Sequence, residues 1–374
     1  MSEDSVVGDR VVVEVGPVAH GGHFVARHDG RVVFVRHALP GERVAVVVTE
    51  DSGRFLRGDA VEVLEHSPDR VQPPCPYAGP GMCGGCDFQH VTLEGQRHLK
   101  AAVVEEQLSR LAGLDREVVV EAVPDTGTDG LAWRTRMQYV HLPGGGIGLR
   151  RHRSHDVVEI DRCLLAAPGA REPGEGMVRE VVEISHGRQV FEVAADGFWQ
   201  PHVDAPRVLV DCVLDLLGPR PGEAVLDLYA GVGLFAAFLG EAVGSTGSVV
   251  MVEGDRRASE LSGGNLADLP WVRPVAGRVD RALARGLGAA DLVVLDPPRT
   301  GAKRQVVRAI AELSPRAVAY VACDPAALAR DVSYFAEAGY GLEVLRAFDL
   351  FPMTHHVECV ALLENTGSDL RRSD

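Results

Sequence analysis

The sequence predicts an α/β protein whose C-terminal part is a doubly wound, Rossmann-like parallel sheet, preceded by a small β-barrel and a strand-rich, cysteine-bearing middle. Three observations carry this. From about residue 207, the apolar runs AVLDLY (224–229), SVVMVE (248–253), DLVVLD (291–296) and AVAYVAC (317–323) alternate with helical segments, and VECVALL (357–363) closes the series. Near-continuous apolar runs suit strands covered on both faces, with ligands at their C-terminal ends. Near the N-terminus, VVVEV (11–15), VVFV (32–35), RVAVVV (43–48) and AVEVL (60–64) are short Val-rich strands divided by Gly and Pro-Gly turns, the pattern of a small closed barrel. Between them, CPYAGPGMCGGCDFQH (75–90) crowds three cysteines into one loop. The expected units are 5–66, 67–200 and 201–366.

The joints follow from local chemistry. SPDRVQPPCP (67–76) is a Pro-rich connector. The segment 92–112 has Leu99, Val103, Leu108 and Leu111 on one helical face, with Gly113 as its stop; this helix is expected to pack on the catalytic unit. Residues 131–200 read as strand-rich, and the tail after about 365 as frayed.

Composition narrows the class. With 374 residues, 46% hydrophobic and 24% charged, the chain has the balance of a globular protein of two or three domains. MSEDSVVGDR lacks the basic and apolar regions of a leader, and no apolar run approaches the roughly 18–20 residues of a membrane span. The expectation is a cytoplasmic protein with no membrane partner, acting as a monomer. The net charge of −15 argues against a uniformly basic nucleic-acid binder. Contact is governed locally, however, and Arg134, Arg136, Arg150, Arg151 and Arg153 cluster with His152 and His155. Such a cluster is either a solvated face or an RNA-facing one.

The seven cysteines are odd in number, which does not suggest a disulfide framework. Cys75, Cys83 and Cys86, with Cys163 in DRCLLAAP, suit either an iron–sulfur cluster or a tetrahedral zinc site. Cys212 and Cys359 read as structural.

DLYAGVGLF (227–235) follows a strand and opens a helix, so Gly231 and Gly233 allow close backbone approach. Glu253 ends the next strand, where an acid can bond ribose hydroxyls. Locally this fits S-adenosylmethionine or a dinucleotide; the downstream LDPPR (295–299) favours S-adenosylmethionine. Tyr229 and Gln200 are candidates for donor contact. Two further stretches, VACDPAALARD (321–331) and FPMTHHVE (351–358), place Cys323 at a strand end and Glu358 downstream. Carbon 5 of uracil is a poor nucleophile. A thiolate adding at C6 activates it, and a base must then take the C5 proton. Cys323 fits the first role and Glu358 the second, Asp331 reads as an orienting or capping residue, and His355 and His356 as polarising or structural ones.

Together these motifs resemble the bacterial RNA uridine-C5 methyltransferases, the RumA/TrmA family, along nearly the whole chain; GRVVFVRHALPGERV (30–44) resembles its TRAM domain, an OB-like barrel associated with RNA. The resemblance implies a class I methyltransferase domain, with a 4Fe–4S cluster on Cys75, Cys83, Cys86 and Cys163. It implies donor binding by Gln200, Tyr229, Glu253 and Asp296, beside the Gly231 loop, with Cys323 as nucleophile and Glu358 as proton acceptor. Leu234 stands where some members carry a donor-contacting Asn, so that contact is not carried over. The implied substrate is RNA: 23S rRNA first, the T-loop of tRNA second. An RNA-binding protein without catalysis is the reading from another class.

Overall fold

The computed structural model describes residues 6–123, 129–185 and 187–366; the start of the chain and the tail after residue 366 lie outside it. At the N-terminus, strands Arg10–Glu14, Val18–Ala19, His23–His28, Arg31–Arg36, Arg43–Asp51 and Phe55–Glu65 form one six-stranded sheet. All its pairings are antiparallel except that of Arg31–Arg36 with Phe55–Glu65. The Val-rich strands are where the sequence placed them. Val18–Ala19 and His23–His28 were not expected, because His20, Gly21 and Gly22 interrupt the apolar pattern between them. Phe24, Val33, Val35, Val44 and Val46 are fully enclosed inside. Each contributes about 1.5–3 kcal/mol by leaving water.

The expected helix runs over Leu93–Gln107, capped by the Thr92 hydroxyl accepting from Gly95 N at 3.1 Å. It then widens into a π turn, Leu108–Ala112, and stops at Gly113 in the left-handed region (φ 66°). The wider turn explains a correction. Leu111 was expected on the buried face, but the extra residue per turn swings it off the stripe and leaves it 43% exposed. Val103 and Leu99 pack on the barrel, whereas Val104 and Leu108 pack on the C-terminal sheet. The helix is therefore wedged between the two.

Eight strands make the C-terminal sheet, in the order Val272–Ala276, Ser248–Glu253, Ala224–Leu228, Leu292–Leu295, Ala317–Ala322, Glu358–Asn365, Tyr340–Asp349, Val120–Ala122. The first five are mutually parallel, and Glu358–Asn365 runs antiparallel to both its neighbours. The strand order reverses between Ala224–Leu228 and Leu292–Leu295, and that switch point opens the crevice for a ligand. Packing crosses the expected boundary at residue 200. The hairpin Met177–Ile184/Gly187–Ala194 buries Val182, Phe191 and Val193 in the same core as the sheet, and Val120–Ala122 extends its edge. No helix among the described residues is long and apolar enough to cross a membrane.

Candidate active site

At the end of Ala224–Leu228 the chain turns through Tyr229 (φ 62°), Gly231 (φ 56°) and Gly233 (φ 95°) into helix Leu234–Val243. A positive φ at Tyr229 costs on the order of 1–3 kcal/mol and is held by its surroundings. A Cβ at residue 233 would lie 2.9 Å from Leu266 Cδ1, so glycine is required there on two counts. Glu253 ends the adjacent strand. Its carboxylate accepts from Gly231 N at 2.8 Å and Asp255 N at 2.6 Å, tying the two strand-end loops together. Beneath them Asp227 is fully buried. One of its oxygens accepts from Ala236 N at 2.9 Å, the other has no partner, and burial pushes its carboxyl up to about 8.

Across the switch point, Gln200 Nε2 donates to Asp296 Oδ2 at 3.1 Å. Burial raises Asp296 to about 7. Glu358 is 4% exposed and is raised by burial and then by the charge of Asp296, with Arg299 opposing. Cys323 follows strand Ala317–Ala322, next to Glu358 because Ala322 pairs with Cys359. Burial and the Glu358 charge push its thiol up to about 12, against the field of Arg299. One cavity of about 1020 Å³ is lined by Gln200, Tyr229, Gly231, Glu253, Asp296, Cys323 and Glu358 together. Asp280, Arg299 and Phe351 line it too and were not singled out from sequence; Arg299, inside LDPPR, and Phe351, at the start of FPMTHHVE, lie in motifs that signalled them, and Asp280 does not.

Asp331 is the orienting residue expected. Fully buried, it accepts from Ala302 N (2.7 Å), Lys303 N (3.1 Å) and the Tyr320 hydroxyl (2.7 Å), which pins the loop after Arg299. Arg299 Nη2 lies 3.3 Å from His356 Nε2, and burial lowers that imidazole to about 3, so it is a neutral acceptor. His355 Nδ1 is 2.6 Å from Asp87 of the middle segment.

The basic cluster divides. Arg136 donates to Gly197 O (2.6 Å) and Asp196 O (2.9 Å), bracing the loop before Gln200. Arg134, Arg150, Arg151, His152 and Arg153 instead line a cavity of about 480 Å³ with Cys75, Cys83, Cys86 and Cys163. His155 bonds Arg150 at 2.8 Å. Gly85 N donates to Cys83 Sγ (3.4 Å) and Gln89 Nε2 to Cys86 Sγ (3.2 Å). Burial lifts the thiols of Cys83, Cys86 and Cys163. Among the described residues, no three His, Cys, Asp or Glu groups converge closely enough to hold a single ion. Cys212 and Cys359 are fully buried in the core, as expected.

A switch-point crevice with a glycine turn, an acid on the next strand and a Cys beside a Glu fits a nucleotide-type cofactor held next to a reactive thiol. Comparison with known proteins agrees. Residues 4–61 match the TRAM domain model, and residues 287–366 match the model of tRNA (Uracil-5-)-methyltransferase. An RNA methyltransferase of Streptomyces avermitilis is 46% identical over 97% of this chain and 100% of its own length. The 23S rRNA (uracil(1939)-C(5))-methyltransferase RlmD of Alkalilimnicola ehrlichii is 30% identical over 96% of this chain and 97% of its own. The solved tRNA (uracil-54, C5)-methyltransferase of Pyrococcus abyssi, in complex with S-adenosyl-L-homocysteine, shares the fold: TM-score 0.70, 21% identity, 94% of this chain and 99% of that one. The chain belongs to the RNA uracil-C5 methyltransferase family. It is an S-adenosylmethionine-dependent enzyme acting on RNA.

Proposed function

We propose that the enzyme forms 5-methyluridine at one site of 23S rRNA, with Cys323 as nucleophile and Glu358 as base. The observation that carries this is the single cavity joining the Gly231 loop, Glu253 and Asp296 to Cys323 and Glu358. Bound S-adenosylmethionine supplies an electrophilic methyl group on a sulfonium. The Cys323 sulfur forms a bond to C6 of the uracil, and the C5=C6 electron pair moves toward O4. C5 then takes the methyl group as the donor's S–CH3 bond breaks and its electron pair stays on a now neutral thioether sulfur. Glu358 takes the proton from C5, the C5–H electron pair re-forms C5=C6, and the Cys323 sulfur leaves C6 as a thiolate. Glu253 suits ribose hydroxyls, and Gln200 orients Asp296 beside the donor. Tyr229 presents its ring to the same space.

The rRNA assignment rests on the full-length likeness to RlmD. The T-loop of tRNA is the second reading, favoured by the description of the family model over residues 287–366. Domain roles follow: the unit 5–66 binds RNA, 67–200 carries the cysteines, and 201–366 performs the transfer.

For the cysteine cavity we propose a 4Fe–4S cluster on Cys75, Cys83, Cys86 and Cys163. Four thiols around one space, two of them already accepting N–H donors, are a donor set for such a cluster. A lone zinc needs its sulfurs about 2.3 Å from one point, whereas a cluster spreads them wider.

The test is methyl transfer from labelled S-adenosylmethionine to unmodified 23S rRNA and unmodified tRNA in parallel, with mapping by mass spectrometry. 5-Methyluridine at one rRNA position is expected. Cys323→Ala should be inactive though folded, and Glu358→Gln should trap a covalent RNA adduct. Wild-type turnover in either variant would remove that residue from its role.

A further inference from the structure

Cys323 also lines a second, smaller cavity of about 130 Å³, to which the glycine loop contributes no wall. Its walls come from three parts of the chain: His20 and Gly22 of the barrel, Leu99 and Val103 of the helix Leu93–Gln107, and Arg299, Asp324 and His356 of the catalytic part. The reaction above leaves the barrel residues without a task. The space is smaller than the roughly 300–1,000 Å³ of a ligand pocket, so it does not take a second base with its ribose.

Beside the apolar Leu99, Val103 and Val357, the polar part of its lining suits an anion. His20 Nε2 lies 3.2 Å from Asp324 Oδ2, while Asp324 Oδ1 accepts from Ala327 N at 2.8 Å and caps helix Pro325–Glu337. Both oxygens of the one acid in the wall are thus engaged. His355, just behind Gly22, is paired with Asp87, which also lies 3.5 Å from Arg36; Lys100 beneath is paired with Asp349. His356 is neutral, so Arg299 adds a positive charge, and the helix N-terminus adds its dipole. Donating to Asp324 raises the His20 imidazole above its usual range. The loop's approach is close: a Cβ on Gly22 would fall 2.6 Å from His355 Cβ.

We infer that this cavity seats the phosphodiester flanking the target uridine, and that His20 completes it by masking Asp324 and holding the barrel loop at the mouth of Cys323. A base delivered to Cys323 must leave the RNA stack, and its own backbone then crosses this opening. With His20 absent, a bare carboxylate would face that phosphate. The inference rests on the reaction proposed above. It makes His20 a positioning residue, contributed by the barrel to the chemistry of another part of the chain.

The experiment uses the full-length enzyme and an RNA fragment around the mapped uridine, with a neutral methylphosphonate at the 5′ or the 3′ linkage of that nucleotide. At one linkage, wild-type kcat/KM should fall roughly tenfold to a hundredfold, the worth of a charge-assisted contact. His20→Ala should lose a similar factor on natural RNA and respond to the neutral linkage by less than about twofold. His20→Ala with Asp324→Asn should recover most of the activity, because Asn still caps the helix and carries no charge; a purely structural role for His20 would show no such rescue. Wild-type tolerance of both neutral linkages overturns the inference without any variant. So does an equal linkage penalty in wild type and His20→Ala. Absence of any methyl transfer to natural RNA overturns the reaction itself, and the seat with it.

Discussion

Cys323 carries a thiol in the free enzyme, because burial and the Glu358 charge push it up to about 12. In the proposed reaction that proton must leave before the sulfur attacks, so kcat/KM should climb with pH through the neutral range. Arg299 opposes that shift. Arg299→Met should raise the thiol further, move the rising limb to higher pH and cut kcat/KM at neutral pH by about tenfold or more. A pH–rate profile that keeps its position would show that Arg299 acts otherwise. Asp227 offers a separate test through stability. Its carboxyl titrates near 8 when folded, against the ordinary 3.8. The folded state therefore keeps a proton that the unfolded chain releases, and this group's contribution is lost as pH rises from about 4 through 8. Asp227→Asn does not titrate, so its thermal midpoint should gain on wild type as pH goes from acid to alkaline; a constant difference would contradict the buried, half-partnered carboxyl. At this scale Cys323, Glu358, Asp296 and Glu253 were legible because each sits in a short local motif. His20 was not, because its partner Asp324 lies on a distant strand end.

The helix Leu93–Gln107 shows what an element adds. Its periodicity announced a buried face, but it buries two faces, one on the barrel and one on the sheet. Between them Lys100, fully enclosed, bonds Asp349 and donates to Phe351 O at 3.0 Å. Phe351 lines the reaction cavity, so the pair also anchors that wall. Lys100→Met leaves Asp349 buried without its counter-charge and should destabilise by about 3–5 kcal/mol in urea unfolding. Adding Asp349→Leu should restore much of this. No loss in the single variant would mean that Asp349 finds another partner or stays protonated. The strands missed in the C-terminal sheet are each masked locally: Val120–Ala122 has three residues, Val272–Ala276 is broken by Arg273 and Pro274, as its edge position allows, and the apolar run of Tyr340–Asp349 is interrupted by Glu343 and Arg346.

Over the whole molecule, the barrel is joined to the C-terminal sheet beside Cys323 through His20–Asp324 and Gly22–His355. The cysteine cavity sits apart, under Arg150, Arg151 and Arg153. If it holds the proposed cluster, protein purified without oxygen should carry about four iron and four sulfide per chain with visible absorbance. Cys83→Ser should lose both, whereas Cys212→Ala, a change in the core of a helix, should keep them. Stoichiometric zinc in place of iron would assign the cavity to the other metal.

By itself the sequence determined the alternating C-terminal half, the Val-rich barrel, the helix after the cysteine loop and the candidate groups for the proposed chemistry. All of these are written in short windows: apolar period, glycine turns, an acid or thiol at a strand end. The tertiary structure alone decided which windows meet. It set the barrel loop against Asp324, added Val120–Ala122 and the hairpin Met177–Ala194 to the catalytic core, and shared Cys323 between two cavities. Such meetings depend on packing between residues tens to hundreds of positions apart, and no local pattern encodes a partner at that distance.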